Sequence, residues 1–301
     1  MAEAPFFSVV IPTFNRADLI TNTLRSVQAQ TFRDFEVVVV DDGSTDDTEG
    51  VVRAFGDPGI RYHLKVHGER GAARNAGARL ARGRYINFLD SDDLLYPHHL
   101  ATAAAFIATH DEPEVCHFAF DVRDASLRVV QGPRAFTGTL NDQLVFGNSL
   151  SFNAAFVRRD IALRHPFSED PDLTGEDWHL WLRLGARYPL RHAGTVTSSL
   201  VNHGARSVLT LSRDVLVTRV SRLLDCLFDD DEVKRRYGRY ERRMRAAVFC
   251  YLALHLALGR LSQRDAVRYL ARAVATWPAI VVTRDFLGAL KRLALSLGPV
   301  R

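Results

Sequence analysis

The apolar run Tyr85-Ile86-Asn87-Phe88-Leu89 ends in Asp90-Ser91-Asp92-Asp93, which sets three carboxylates within four residues. The run reads as a buried strand, so the acids stand at its carboxyl end, where open α/β sheets bind ligands. Like charges crowded at a strand terminus repel one another unless a cation or hydrogen-bond donors compensate them. Hard carboxylate oxygens suit Mg²⁺ or Mn²⁺, and those ions suit a diphosphate. Acidic loops are common, however, and an Asp-x-Asp on its own is weak evidence of a metal site.

Three other loops carry related chemistry. Pro12-Thr13-Phe14-Asn15-Arg16 and Asp41-Asp42-Gly43-Ser44 each close a β-rich run, and Gly71-Ala72-Ala73-Arg74-Asn75-Ala76-Gly77 follows a third. Two acidic loops, a cationic loop opening a helix and an aromatic are what a metal-bound nucleotide diphosphate needs. Singly, each has a plainer account: a turn and helix cap at 41–44, a solvated helix face at Arg74-Asn75, and glycines that let a helix pack closely on a strand. Four such coincidences at four successive strand ends are far less common than one. Further along, Glu176-Asp177 opens an apolar helical pattern. An Asp there is an ordinary N-cap, yet a helix N-terminus also keeps a carboxylate ionised, as a general base requires. His203 follows a strand-like run, and a lone His is more often structural or solvated than a ligand. His98-His99 reads as an exposed helix start.

The spacing predicts strands at 7–11, 35–40, 60–66 and 84–89, with helices at 18–30, 46–55, 71–82 and 97–110 between and after them. Pro12 closes the first strand, Asp46 with Glu49 gives a helix N-terminal signature, and Pro97 stands where a helix begins. Strand and helix alternating through short links predict a mostly parallel α/β sheet with helices on both faces. All four loops then converge on one crevice. Residues 115–122, 153–158 and 191–202 read as further strands and 177–187 as a helix. From about residue 207 the pattern is all-helical, giving a domain at 1–210 and a helical extension at 211–301.

The segments 8–16 (Ser-Val-Val-Ile-Pro-Thr-Phe-Asn-Arg), 40–46 (Val-Asp-Asp-Gly-Ser-Thr-Asp), 71–77, 89–93 and 175–184 (Gly-Glu-Asp-Trp-His-Leu-Trp-Leu-Arg-Leu) resemble the motif series of family 2 glycosyltransferases with the GT-A fold. The resemblance runs in order over roughly residues 6 to 205. It implies an inverting enzyme that uses Mg²⁺ or Mn²⁺ and moves a sugar from a UDP-sugar to a hydroxyl of a glycan or glycolipid, such as a bacterial surface glycan or lipid-linked oligosaccharide. Pro12 and Phe14 would flank the nucleobase, and Asp42 would accept its imide N–H. Arg74 would face the diphosphate. Thr13, Arg16, Asp41 and Asn75 would complete the donor site, while Asp90 and the Ser91 backbone would hold ribose or sugar. Asp92 would be the main metal ligand, with Asp90 and His203 beside it. Asp177 would be the base and Glu176 its acceptor-orienting neighbour. One departure stands out: relatives often carry Tyr-Arg where Leu200-Val201 precede His203. A sugar-nucleotide pyrophosphorylase would want a Gly-rich basic loop after the first strand, and a dinucleotide oxidoreductase a Gly-x-Gly-x-x-Gly there. Neither is present at 12–16. A non-catalytic nucleotide-sugar-binding or scaffold protein is the rival from another class, and the retained Asp90, Asp92 and Asp177 speak against it.

Composition bounds the rest. The chain has 301 residues, 47% of them apolar, enough for one large domain or two unequal ones. Cys116, Cys226 and Cys250 lie far apart without metal-ligand spacing, as reduced cytosolic thiols do. Met1-Ala2-Glu3-Ala4-Pro5 lacks the basic region of a signal peptide, and the apolar stretch 248–258 is too short to span a bilayer. Net charge is +4, but 260–301 alone carries eight Lys/Arg against two Asp/Glu, leaving −2 on the rest. No nucleic-acid-binding motif accompanies the basic tail. The expectation is a cytoplasmic protein whose C-terminal helices contact the inner membrane surface peripherally or pair two copies.

Overall fold

The computed structural model describes residues 4–57, 59–136, 138–203 and 211–296. Contacts divide the chain into two units. The first gathers the described residues up to Asn141 with Leu150–Pro171 and Tyr188–Asn202; the second gathers Asp142–Ser149, Asp172–Arg187 and the described residues from His203 onward. The boundary expected near residue 210 lies outside the described residues.

The first unit is built on β1 (Phe7–Thr13), β2 (Phe35–Asp41), β3 (Ile60–Leu64) and β4 (Tyr85–Phe88), parallel and in the order β3-β2-β1-β4. Their Val- and Ile-rich runs favour the pleated conformation, and β1, β2 and β4 are buried on both faces. Phe7, Val9, Ile11, Val37 and Val39 share one core with Ile20 and Leu24 of α1 (Ile20–Gln28), Val52 of α2 (Thr48–Ala54), and Leu100 and Ile107 of α4 (His99–Thr109). Helix α3 (Glu69–Leu80) covers the opposite face, where a Cβ placed on Gly77 would meet Val10 Cγ1 at 2.2 Å. The chain steps outward from β1 to β3 and then returns to β4 on the other side of β1. That reversal puts a topological switch point at the carboxyl ends of β1 and β4.

Pro12 lies within β1 rather than ending it, paired with Val40. Leu89 N donates to Val10 O and Asp42 N to Thr13 O, so alternation turns the Pro12 nitrogen toward β4. Strand β4 has already ended there, and the missing N–H breaks no ladder bond. Beyond β4 the sheet becomes mixed. Strand β8 (Ala155–Arg158) runs antiparallel to β4 and to β6 (Val115–Arg123), β9 (Leu190–Val201) runs parallel to β6, and the short β5 (Leu94–Leu95) and β7 (Val129–Gln131) pair antiparallel with β9 and β6. The buried polar Asn87 explains itself at this junction, donating to Ala155 O at 2.9 Å and Asn153 O at 3.1 Å. Helices α5 (Leu140–Gln143) and α6 (Arg159–Arg164) are short.

The second unit is helical: α7 (Glu176–Arg187), α8 (Arg213–Cys226), α9 (Asp231–Tyr237), α10 (Glu241–Leu258), α11 (Gln263–Thr276) and α12 (Arg284–Ser296). Side chains of Ser212, Asp230 and Ser262 cap α8, α9 and α11. Helix α10 is the hub, burying Met244, Val248, Leu252 and Leu256. Pro278 opens a 3-10 turn between α11 and α12. No described helix is long and apolar enough to cross a membrane.

Candidate functional site

In the first unit the strand-end residues meet at the switch point. Asn15, at φ 51°, stitches the first loop to the second: its amide N–H donates to Ser44 Oγ at 2.8 Å and its Oδ1 accepts from Thr45 N at 2.8 Å. Asp46 reinforces the join by accepting from Ala17 N and Thr48 N. Burial would raise the Asp46 carboxyl, but the Thr48 hydroxyl and these amides hold it below the ordinary value. Asp41 is buried and structural in its bonds, accepting from Ser44 N at 2.7 Å and from the Tyr62 hydroxyl at 2.6 Å. Burial and this carboxylate push the Tyr62 phenol far above its usual range.

Asp42 is buried and faces Lys65 and His67. Lys65 Nζ lies 2.5 Å from its Oδ1, Gly68 N donates to the same oxygen at 3.0 Å, and His67 Nδ1 is 2.9 Å from its Oδ2. The His67 ring also stacks on Phe14, with centroids 4.5 Å apart, and Phe14 is 40% exposed. Pro12 and Thr13 are buried beneath. Lys65 and His67 carried no motif signal, because they belong to the irregular exit of β3. They become visible only when their contacts with Asp42 are seen.

Helix α3 begins two residues earlier than expected, so Arg74 sits in its second turn rather than at its start. The guanidinium is buried, lies over the rings of Phe152 and Phe167 at 5.0 and 5.3 Å, and pairs with Asp90 Oδ1 at 2.6 Å. Asn75 directs its amide to the 167–169 segment, donating to Phe167 O and Glu169 Oε1 and accepting from Phe167 N at 2.9 Å. Asp92 lies 3.8 Å from Arg16 Nε, and Ser91 is buried. Asp93, the third acid of the cluster, is structural: it accepts from Val201 N at 2.8 Å and Asn153 Nδ2 at 3.1 Å.

Among the described residues no group of three or more His, Cys, Asp or Glu is assembled as a metal cage. Asp90 and Asp92 supply carboxylate oxygens two residues apart, each already beside an arginine. A carboxylate pair fits Mg²⁺ or Mn²⁺ when substrate phosphates complete the coordination sphere. His203 lies two residues past β9 and is half-buried; residues 204–210, which follow it, lie outside the described set.

Glu176 and Asp177 belong to the second unit. Helix α7 starts at Glu176, after Gly175 at φ 83°, so Asp177 is its second residue rather than the residue before it. Asp177 Oδ1 accepts from Trp178 N at 2.8 Å, and its Oδ2 accepts from Asn148 Nδ2. Glu176 is buried. Asn148 was not singled out in the sequence, since it comes from a stretch without periodicity.

The family model for glycosyl transferase family 2 matches residues 8–161. A PGL/p-HBAD biosynthesis glycosyltransferase of Mycobacterium bovis is 35% identical over 164 residues, 52% of this chain and 61% of that protein. An uncharacterized glycosyltransferase of Rickettsia typhi is 38% identical over 201 residues, 62% of this chain and 61% of that one. The chain thus spans about three fifths of the length of these relatives. Among solved structures, residues 1–349 of S. aureus TarS in complex with UDP-GlcNAc superpose with a TM-score of 0.60 at 19% identity, covering 91% of both chains. A mannosyltransferase of Pyrobaculum calidifontis in complex with GDP-Man and Mn²⁺ gives 0.59 at 18% identity, covering 98% of this chain and 86% of the other. The shared fold is of the GT-A type, with a helical C-terminal region.

Proposed function

Because the chain belongs to glycosyl transferase family 2, we propose that it is an inverting enzyme that transfers a sugar from a UDP-sugar to an acceptor hydroxyl. The observation that carries this reading is the gathering of Phe14, Asp42, Arg74, Asp90 and Asp92 at the switch point of the first unit's sheet. TarS, with bound UDP-GlcNAc, supports a uridine donor; the mannosyltransferase holds GDP-Man, so the base is a point to test. Phe14 and Pro12 contact the base, and Asp42 accepts its imide N–H. Arg74 stands beside the diphosphate. Asp90 and Asp92, with His203 as a further ligand, would hold Mg²⁺ or Mn²⁺, which would supply positive charge beside the diphosphate.

Asp177 takes the proton of the acceptor hydroxyl, whose oxygen bonds to the anomeric carbon. The bond from that carbon to the phosphate oxygen breaks, and its electron pair leaves with UDP. Glu176 orients the acceptor. The acceptor class we assign is a surface glycan or glycolipid. The basic tail then serves as a peripheral contact with an anionic membrane, or pairs two copies. Sedimentation with anionic vesicles that weakens at high salt supports the first role, and its absence leaves the second.

The test of the function is release of UDP from a panel of UDP-sugars, with water standing in for the acceptor. Asp177→Asn should slow it by ~10²–10⁴-fold while sparing UDP affinity. An equal loss of UDP affinity would show Asp177 to be a donor ligand or a structural residue instead.

A further inference from the structure

The segment 144–148 is fastened to the start of α7 at two points. Trp178 Nε1 donates to Leu144 O at 3.0 Å, within a 3-10 turn formed by Leu144–Phe146. Arg243 lies over the ring of Phe146, 3.6 Å from its centroid, holding the end of that turn. Gly147 follows at φ 110° and ψ −179°, a conformation essentially confined to glycine. The chain emerging from it presents Asn148, whose Nδ2 donates to Asp177 Oδ2. Asp177 Oδ1 meanwhile accepts the Trp178 amide. Both carboxylate oxygens are therefore tethered, one from the helix itself and one from a segment nearly 30 residues away in sequence.

We infer that Asn148 is a positioning residue for Asp177: its carboxamide fixes the rotation of the carboxylate that receives the acceptor proton. The inference rests on Asp177 being the base. A free carboxylate turns about its terminal bond through a broad, two-fold profile, so orientation at a general base has to be imposed from outside. A neutral amide donor suits the task, because it stabilises the ionised form without the competing ion pair that Lys or Arg would make. The Trp178 and Arg243 clamps keep the donor in place although Asn148 is exposed.

Three variants test this, read by UDP release from the UDP-sugar panel and by calorimetric UDP affinity with Mn²⁺. Asn148→Ala should lower kcat about tenfold, the loss expected for one hydrogen bond to a charged group, with KM, UDP affinity and melting temperature unchanged. Asn148→Ser, which keeps a short donor, should recover part of the rate. Asn148→Asp matches the native side chain in size but sets a second negative charge against Asp177, and should be slower than Asn148→Ala. A merely space-filling role would reverse that last ranking. Wild-type kcat in Asn148→Ala, alongside a crippled Asp177→Asn, overturns the positioning role and leaves the base in place. Wild-type turnover in Asp177→Asn removes the base assignment and this inference with it.

Discussion

Arg74 and Asp90 show how the site separates a fixed charge from a working one. The arginine side chain is 3% exposed and the aspartate 43%, so the cation is locked under Phe152 and Phe167 while the carboxylate faces outward. Asp92 sits near Arg16 at a longer 3.8 Å, the weaker of the two pairings and the one more open to exchange. Asp92→Asn should therefore abolish the metal-dependent part of UDP binding without unfolding the chain, as read by calorimetry with and without Mn²⁺. Wild-type affinity in that variant would place the metal elsewhere. The acids themselves were legible in the sequence, because they recur at successive strand ends within an ordered series of motifs. Their partners Lys65, His67 and Asn148 were not, since each comes from an irregular segment whose role exists only through a contact distant along the chain.

At the level of elements, the crevice depends on how closely α3 lies on β1 and β2. A Cβ at Gly77 would overlap Val10 Cγ1 at 2.2 Å and press on Val40 Cγ2 at 3.3 Å. Gly77→Val should cost about 1–3 kcal/mol through overpacking, seen as a lower urea midpoint, and should weaken UDP binding by shifting Arg74 on the same helix. A second device is titratable. His99, whose Nδ1 lies 2.9 Å from Thr197 Oγ1, and His117, whose Nε2 accepts from Ser151 N, are buried near β9. Burial, helped by His98 in one case and His192 in the other, pushes both imidazoles down to about 3. Between pH 6.5 and 3 the unfolded chain thus binds more protons than the folded one, and stability falls with pH across that window. Each His contributes a slope of up to ~1.4 kcal/mol per pH unit. Urea midpoints at pH 7, 6, 5 and 4 should fall steadily, and less steeply in His117→Asn. Element types were readable from period and punctuation. The antiparallel join of β8 to β4 was not, because strand direction follows from the long connection between the two strands rather than from any local pattern.

Across the whole molecule, the contact partition assigns Asp142–Ser149 and Asp172–Arg187 to the same unit as the C-terminal helices. Composition changes along the chain cannot register this, because contacts between distant segments leave no shift in residue type. The family assignment was legible as five ordered motifs, whereas the donor's base, the metal and the acceptor are matters of chemistry that shared fold alone leaves open. The most direct measurement is calorimetric titration of UDP, GDP and CDP into the full chain, each with and without Mn²⁺. UDP should bind most tightly and only weakly without the ion. Tighter binding of GDP, or UDP affinity indifferent to Mn²⁺, would contradict the account.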